Sequence, residues 1–102
     1  MSALSSVQDE LQLTRKELEL FELLEQNPGR CFSRGYLLRR IWGYSDDART
    51  RTVDVHVSRL RKKLEARDDL AIHTVVRRGY VLERREPGQP AQEAHLGYAG
   101  GY

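Results

Sequence analysis

The segment from Arg51 to Glu65, RTVDVHVSRLRKKLE, constrains the fold more than any other part of the chain. On a helical wheel of 100° per residue, Val57, Leu60 and Leu64 fall within about 40° of Val53, so a helix here has one narrow apolar face. A helix with a single apolar face buries it against other elements of a core. We therefore expect the rest of the 102-residue chain to pack on this face and to leave the opposite face outside.

The opposite face of this helix is cationic and contains one apolar side chain. Its residues are Arg51, Val55, Ser58, Arg59 and Lys62, flanked by Thr52, His56 and Lys63. Arginine can donate two hydrogen bonds to guanine in the major groove, and a valine methyl can contact the methyl group of thymine. The pattern favours a helix that reads DNA, although one exposed valine on a solvated helix is also common.

Charge is distributed unevenly along the chain, although the net charge is only +2. Residues 1–29 contain 2 basic and 6 acidic side chains, residues 30–85 contain 15 and 7, and residues 86–102 contain 0 and 2. A basic block of this kind indicates a surface for a polyanion. Taken alone, the charge fits solvated helix faces equally well.

Capping and turn signals divide the chain into three helices and a hairpin. Thr14 and Glu17 form a capping box at the start of a first helix that stops at Pro28-Gly29, and Ser33 caps a second helix that stops at Gly43. The third helix begins near residue 50. Residues 71–84 are typical of two strands joined at Arg77-Arg78-Gly79. Because positive φ strains an arginine, we expect the turn to be centred on Arg77 and Arg78, with Gly79 left-handed.

Several functional classes are disfavoured by the residues present. The single cysteine, Cys31, cannot form an internal disulfide, and no cysteine–histidine spacing fits a zinc site. The histidines His56, His73 and His95 fall on separate elements, so they do not form a plausible catalytic site. Apolar runs are too short for a membrane span or a signal peptide. We therefore expect a cytoplasmic domain that is not an enzyme and needs neither metal nor cofactor.

Four segments, in this order and at these distances, resemble the winged-helix effector domain of OmpR/PhoB-type response regulators. They are LTRKELELFELLEQNPGR, SRGYLLRRIWG, RTVDVHVSRLRKKLE and IHTVVRRGYVL, and the resemblance covers roughly residues 11–83. The resemblance implies a transcription factor of a bacterial two-component system that binds double-stranded DNA at direct-repeat sites. It implies a third helix in the major groove and a hairpin wing at the minor groove. RNA polymerase, a receiver domain and a histidine kinase are the other implied partners.

The resulting prediction is an α+β fold, a winged helix-turn-helix with three helices and a C-terminal β-hairpin wing. Residues 13–85 are its DNA-binding domain, and residues 86–102 are a flexible tail. Only thirteen residues precede Thr14, fewer than the four-stranded opening sheet of the family needs. For residues 1–12 we therefore expect only a short, truncated strand segment.

The resemblance also implies roles for single residues. Phosphate contacts are implied for Arg51, Thr52, His56, Ser58, Arg61, Lys62 and Thr74, and base contacts for Val55 and Arg59. The loop expected to contact RNA polymerase contains Tyr44, Ser45, Asp46, Asp47 and Arg49. Val76 stands where the family has a minor-groove arginine, and Arg77 stands where it has the first glycine of the wing. We expect Arg77 and Arg78 together to replace the missing arginine.

Two other functions fit the same fold. A winged helix can be a protein-interaction module, and a cationic surface can bind nucleic acid without sequence preference. A protein-docking surface would expose aromatic side chains, whereas the outer face of the third helix offers arginine and lysine. A comparison of matched and scrambled DNA over a range of salt separates specific from nonspecific binding.

Overall fold

The computed structural model describes residues 3–44 and 49–85, with side chains from residue 7 onward. Helical segments precede an antiparallel hairpin in this part of the chain. The elements are α1 (Ala3–Leu11), α2 (Arg15–Glu25), α3 (Arg34–Leu37) continuing as a π-helical turn (Leu38–Trp42), α4 (Thr50–Leu64), β1 (Leu70–Val75) and β2 (Gly79–Arg84). The predicted tail at residues 86–102 and the loop residues Ser45, Asp46 and Asp47 lie outside the described residues. No helix in the described ranges is long and apolar enough to cross a membrane.

The strand predicted for residues 1–12 is wrong, because Ala3–Leu11 forms helix α1. Val7 and Leu11 lie four residues apart and pack against the core from one side of the helix, whereas a strand would present alternate residues. Gln12 ends the helix with a φ of 57°, and the Leu13 N–H donates to the Gln8 carbonyl at 3.1 Å. This bond is typical of the Schellman motif at helix C-termini.

The predicted caps of α2 and α3 are confirmed. The Thr14 side chain accepts from the Glu17 N–H, and the Glu17 carboxylate accepts from the Thr14 N–H at 2.9 Å, which completes the capping box. Ser33 accepts from the Tyr36 N–H at the start of α3. Gly43 ends the π-helical turn with a φ of 77°. Local hydrogen-bonding residues therefore set the starts of both helices.

The narrow apolar face of α4 is buried as predicted. Val53, Val57, Leu60 and Leu64 belong to one hydrophobic cluster with the apolar side chains of α2, α3 and the hairpin. Full burial of such a side chain contributes about 1.5–3 kcal/mol. Packing of these four side chains therefore fixes the rotation of α4 and keeps its opposite face outside.

The hairpin pairs Leu70 with Arg84 at its open end and Val75 with Gly79 at its closed end. Phe32 adds a third, one-residue strand: its N–H donates to the Tyr80 carbonyl at 2.8 Å, and its carbonyl accepts from the Tyr80 N–H at 2.9 Å. A Cβ at position 79 would lie 1.9 Å from the Phe32 carbonyl oxygen. Glycine is therefore required at position 79 by the close approach of the segment before α3.

The turn of the hairpin lies one residue earlier than predicted. The Arg78 N–H donates to the Val75 carbonyl at 2.8 Å, so Val76 and Arg77 are its central residues. Arg77 adopts a φ of 65°, the conformation that the prediction assumed an arginine would avoid. The bridge between Phe32 and Tyr80 fixes the register and holds Gly79 in the ladder opposite Val75, where it has a positive φ of 143°. The turn therefore closes before the glycine, and Arg77 at its third position has a positive φ as well.

Lys63 anchors α4 to the junction between α1 and α2 and is not part of the outward cationic face. Its ammonium lies 2.6 Å from Oε1 of Glu17, which is only 1% exposed, and donates to the Gln12 carbonyl at 2.9 Å. Burial raises the pKa of Glu17, but the hydrogen bonds from Lys63 and Thr14 outweigh burial and hold that pKa below its usual value. The carboxylate is therefore ionised at neutral pH and tied to α4.

We expect Lys63→Met to lower the free energy of unfolding at pH 7 by about 3 kcal/mol, because Glu17 would keep a buried charge without a partner. Adding Glu17→Gln should restore part of this loss. The folded pKa of Glu17 is lowered, so the stabilisation is present above the ordinary value of 4.5 and disappears as the pH falls through the folded value. In urea unfolding measured from pH 7 to pH 3, the free energies of unfolding of the unmodified protein and of Lys63→Met should therefore converge as the pH falls. A pH-independent difference would contradict this role of the pair.

Arg77→Gly should raise the free energy of unfolding by about 0.5–1 kcal/mol. Removing the side chain relieves about 1–2 kcal/mol of left-handed strain, and the greater freedom of glycine in the unfolded chain offsets part of that gain. The matched control is Arg78→Gly, whose position does not have a positive φ, and this variant should lose stability. Equal destabilisation by both substitutions, measured by thermal or urea unfolding, would show that the turn is not strained at Arg77.

Candidate nucleic-acid interface

The outer face of α4 is the cationic surface that the sequence predicts. Arg51, Val55, Ser58, Arg59 and Lys62 are exposed, and they lie opposite the buried face of the helix. Val55 is 38% exposed and lies one turn from Arg51 and one turn from Arg59 on this face. In the part of the chain that the structure describes, no hydrogen bond or ion pair engages the side chains of Ser58, Arg59 or Lys62. These three side chains are available to an external ligand.

His56 lies at the edge of this face and is held by the protein. Its Nδ1 lies 2.8 Å from the Thr52 carbonyl oxygen, and its ring meets the ring of Trp42 edge-on, with centroids 4.8 Å apart. Because a carbonyl oxygen only accepts, Nδ1 carries the hydrogen and Nε2 is an acceptor in the neutral ring. The side chain can therefore donate to a phosphate through Nε2 only when the ring is protonated.

Arg61, a predicted phosphate contact, also bonds to the hairpin through part of its guanidinium. Nε donates to the Ile72 carbonyl at 3.0 Å, and Nη2 donates to the Thr74 hydroxyl oxygen at 2.9 Å. The guanidinium carbon also lies 5.9 Å from the centre of the Tyr80 ring. A hydroxyl that accepts from Arg61 keeps its own hydrogen, so exposed Thr74 can still donate to an anion. Arg61 thus orients Thr74.

A second connection between α4 and the hairpin was not identified in the sequence. Asp54 accepts from Nε of Arg34 at 2.9 Å and from the Tyr80 hydroxyl at 2.7 Å, so one carboxylate joins α3, α4 and β2. Burial raises the pKa of Asp54, but these two bonds outweigh burial and lower it. Burial and the bond to Asp54 raise the pKa of Tyr80 to about 12, so the hydroxyl keeps its proton and donates at all physiological pH values.

The sequence contains only a weak signal for this connection. Asp54 is an acidic residue within an otherwise basic helical surface, which indicates a nearby cation but not which one. Its partners are 20 residues before it and 26 residues after it. Helical periodicity carries no information about contacts at such separations, so the network becomes visible only in the folded chain.

The tip of the hairpin projects beside α4. Val76, Arg77 and Arg78 are exposed, and a crevice separates them from α3 and α4. Its lining residues are Ser33, Arg34, Asp54, Thr74, Val75, Val76, Arg77, Arg78, Gly79 and Tyr80. The tip therefore faces the side of α4 that contains Asp54. Among the predicted site residues, Arg61 of the helix and Thr74 of the hairpin are in direct contact.

The predicted polymerase-contact loop is described only at its two ends. Tyr44 is exposed, and the Arg49 guanidinium carbon lies 5.1 Å from the centre of its ring. Ser45, Asp46 and Asp47 lie outside the described residues.

His73 and Cys31 lie outside α4 and form no part of its outer face. His73 on β1 lies 2.8 Å from Glu83 on β2, away from His56 on α4. Burial raises the pKa of the half-buried Cys31 thiol, which favours its neutral form. Within residues 3–44 and 49–85, no group of three or more histidine, cysteine, aspartate or glutamate side chains could hold a metal ion.

Comparison with known proteins places this geometry in a family. The family model described as "Transcriptional regulatory protein, C terminal" matches residues 8–82. The uncharacterized transcriptional regulatory protein YclJ of Bacillus subtilis is 50% identical over 71 residues, which are 70% of this chain and 31% of that protein. The chain spans about a third of the length of the curated relatives it matches.

Two solved structures combine the same fold with DNA. The DNA-binding domain of the response regulator AdeR, in complex with an intercistronic region, is 37% identical, with a TM-score of 0.58 and coverage of 71% of this chain and 72% of that one. The DNA-binding domain of Klebsiella pneumoniae RstA, in complex with its RstA box, is 33% identical, with a TM-score of 0.61 and coverage of 70% and 72%. The winged-helix prediction is confirmed, and the chain belongs to the family of transcriptional regulatory protein C-terminal domains of the OmpR/PhoB type.

Proposed function

We propose that this domain binds double-stranded DNA in a sequence-specific manner and regulates transcription as the effector domain of a two-component response regulator. The observation that carries the proposal is the outer face of α4. There Val55, Arg59 and Lys62 are exposed, and in the described residues the side chains of Arg59 and Lys62 make no hydrogen bond or ion pair. An α-helix fits the major groove of DNA, and the side chains on the outer face of α4 combine groups that recognise bases with groups that bind phosphate. The DNA complexes of the AdeR and RstA DNA-binding domains support DNA as the ligand.

Base recognition is assigned to Val55 and Arg59, at the centre of the exposed face. Phosphate contacts are assigned to Arg51, Thr52, His56, Ser58, Lys62 and Thr74 around it. Arg61 uses two of its five N–H donors on the hairpin, where it orients Thr74, and the other three are left for its predicted phosphate contact. The tip residues Arg77 and Arg78 reach the neighbouring minor groove, whose negative potential attracts arginine where the groove is narrow.

The partners of the whole protein are further proposals. The chain spans about a third of the length of its curated relatives. We infer that the full-length protein contains a receiver domain and has a histidine kinase as its partner. We also infer that the protein binds direct-repeat sites and contacts RNA polymerase through the loop from Tyr44 to Arg49. The exposed Tyr44–Arg49 pair at the ends of this loop supports a protein contact there.

Arg59→Ala tests the assignment of base recognition. We expect it to weaken binding to a selected site by about 1–3 kcal/mol and to reduce the preference over scrambled DNA, because a two-bond contact with one base is lost. The matched control is Lys62→Ala on the same helical face, which should weaken all sequences alike and lower the slope of log K against log salt by about 1. Affinities measured by fluorescence anisotropy, after selection from a random duplex pool, give both quantities.

Two outcomes would contradict the proposal. If Arg59→Ala lost equal affinity on selected and scrambled DNA, the assignment of base recognition to Arg59 would be wrong and Arg59 would be a phosphate contact. Failure of the selection to enrich any sequence, together with a salt-independent affinity, would overturn nucleic-acid binding and favour a protein-interaction module.

A further inference from the structure

Val76 has the highest exposure among the large apolar side chains of the described residues. It is 76% exposed, against 38% for Val55. Leaving such a side chain in water forgoes the favourable free energy of its burial, so a ligand that covers it gains affinity. One valine is far smaller than the apolar patches of several hundred Å² that mark protein-docking surfaces. A small contact within a larger charged interface fits the side chain better.

The turn holds Val76 in a defined place. The Arg78 N–H closes the turn on the Val75 carbonyl, and Arg77 accepts a φ of 65° to do so. Strained backbone of this kind is found preferentially at functional sites. Valine itself has few side-chain rotamers, so little conformational entropy is lost when it is covered.

The base of the hairpin is also fixed relative to α4. Thr74, two residues before Val76, accepts from Arg61, and Tyr80, four residues after it, donates to Asp54. Val76 lines the crevice between the tip and α4 together with Arg34 and Asp54. Val76 therefore faces the side of α4 that contains Asp54, with Arg77 and Arg78 beside it.

We propose that Val76 is a specificity-determining residue that packs against the deoxyribose walls of a narrow minor groove next to the site read by α4. This inference rests on the proposed function. The sugars of both strands come close together in a narrow groove, and their C–H groups offer an apolar surface to a short branched side chain. Arg77 and Arg78 supply the attraction to the groove, and Val76 supplies a contact that depends on its width. A·T-rich flanks have the narrow groove that this contact needs.

The experiment compares Val76→Thr and Val76→Ala with the unmodified protein on one selected site with A·T-rich or G·C-rich flanks. Threonine keeps the shape of valine and replaces a methyl group with a hydroxyl. We expect both variants to weaken binding to the A·T-flanked site about three- to tenfold, with less than about a twofold change on G·C flanks, because a partly buried methyl surface is lost. The slope of log K against log salt should not change, since no phosphate contact is removed.

Hydroxyl-radical cleavage provides a direct readout, because it reports which deoxyriboses the protein covers. The unmodified protein should protect sugars in the flanking minor groove, and Val76→Ala should expose them while protection at the α4 site remains. Val76→Arg should raise the salt slope by about 1, through a new phosphate contact. Thermal melting of each variant separates DNA effects from stability.

The proposal is overturned if Val76→Thr and Val76→Ala bind both flanks as tightly as the unmodified protein, or if they weaken both flanks equally. It is also overturned if flanking protection persists in Val76→Ala. Arg59→Ala distinguishes this failure from failure of the proposed function, because it should lose site preference and still favour A·T flanks. A protein that selects no DNA sequence at all refutes both.

Discussion

The attachment of the hairpin to α4 is the interaction on which the DNA-binding surface depends. Asp54 and Arg61 extend from α4 to the hairpin, where they bond to Tyr80 and Thr74 at 2.7 and 2.9 Å. A helix and a hairpin tip that reach two grooves of DNA bind well only if their relative position is set before binding. Two charge-assisted hydrogen bonds at one junction provide that rigidity.

The other side of α4 is held by a different interaction. The buried carboxylate of Glu17 serves both the capping box of α2 and the ammonium of Lys63. The apolar face between these two contacts packs into the core. The charged residues of α4 therefore include two kinds: Asp54, Arg61 and Lys63 bond to other elements, while the side chains of Arg59 and Lys62 make no such bonds and are the ones we propose for DNA. Net charge alone does not distinguish them.

Local patterns predicted much of the fold. The buried face of α4 and the capping box at Thr14 follow from periodicity and from residues three apart, so they were found. The helix at Ala3–Leu11 was not predicted, because a short segment without clear hydrophobic periodicity does not distinguish a helix from a strand until it packs. The hairpin turn was misplaced by one residue, since Phe32, more than 40 residues away along the chain, fixes its register through Tyr80.

A double-mutant cycle on DNA affinity tests most directly whether α4 and the hairpin act as one unit. It combines Tyr80→Phe, which removes the hydroxyl bonded to Asp54, with alanine at both Arg77 and Arg78. If the junction positions the tip, the alanine substitutions should cost clearly less affinity in the Tyr80→Phe background, with a coupling of about 0.5 kcal/mol or more. Additive effects, in a Tyr80→Phe protein that remains folded, would contradict this account.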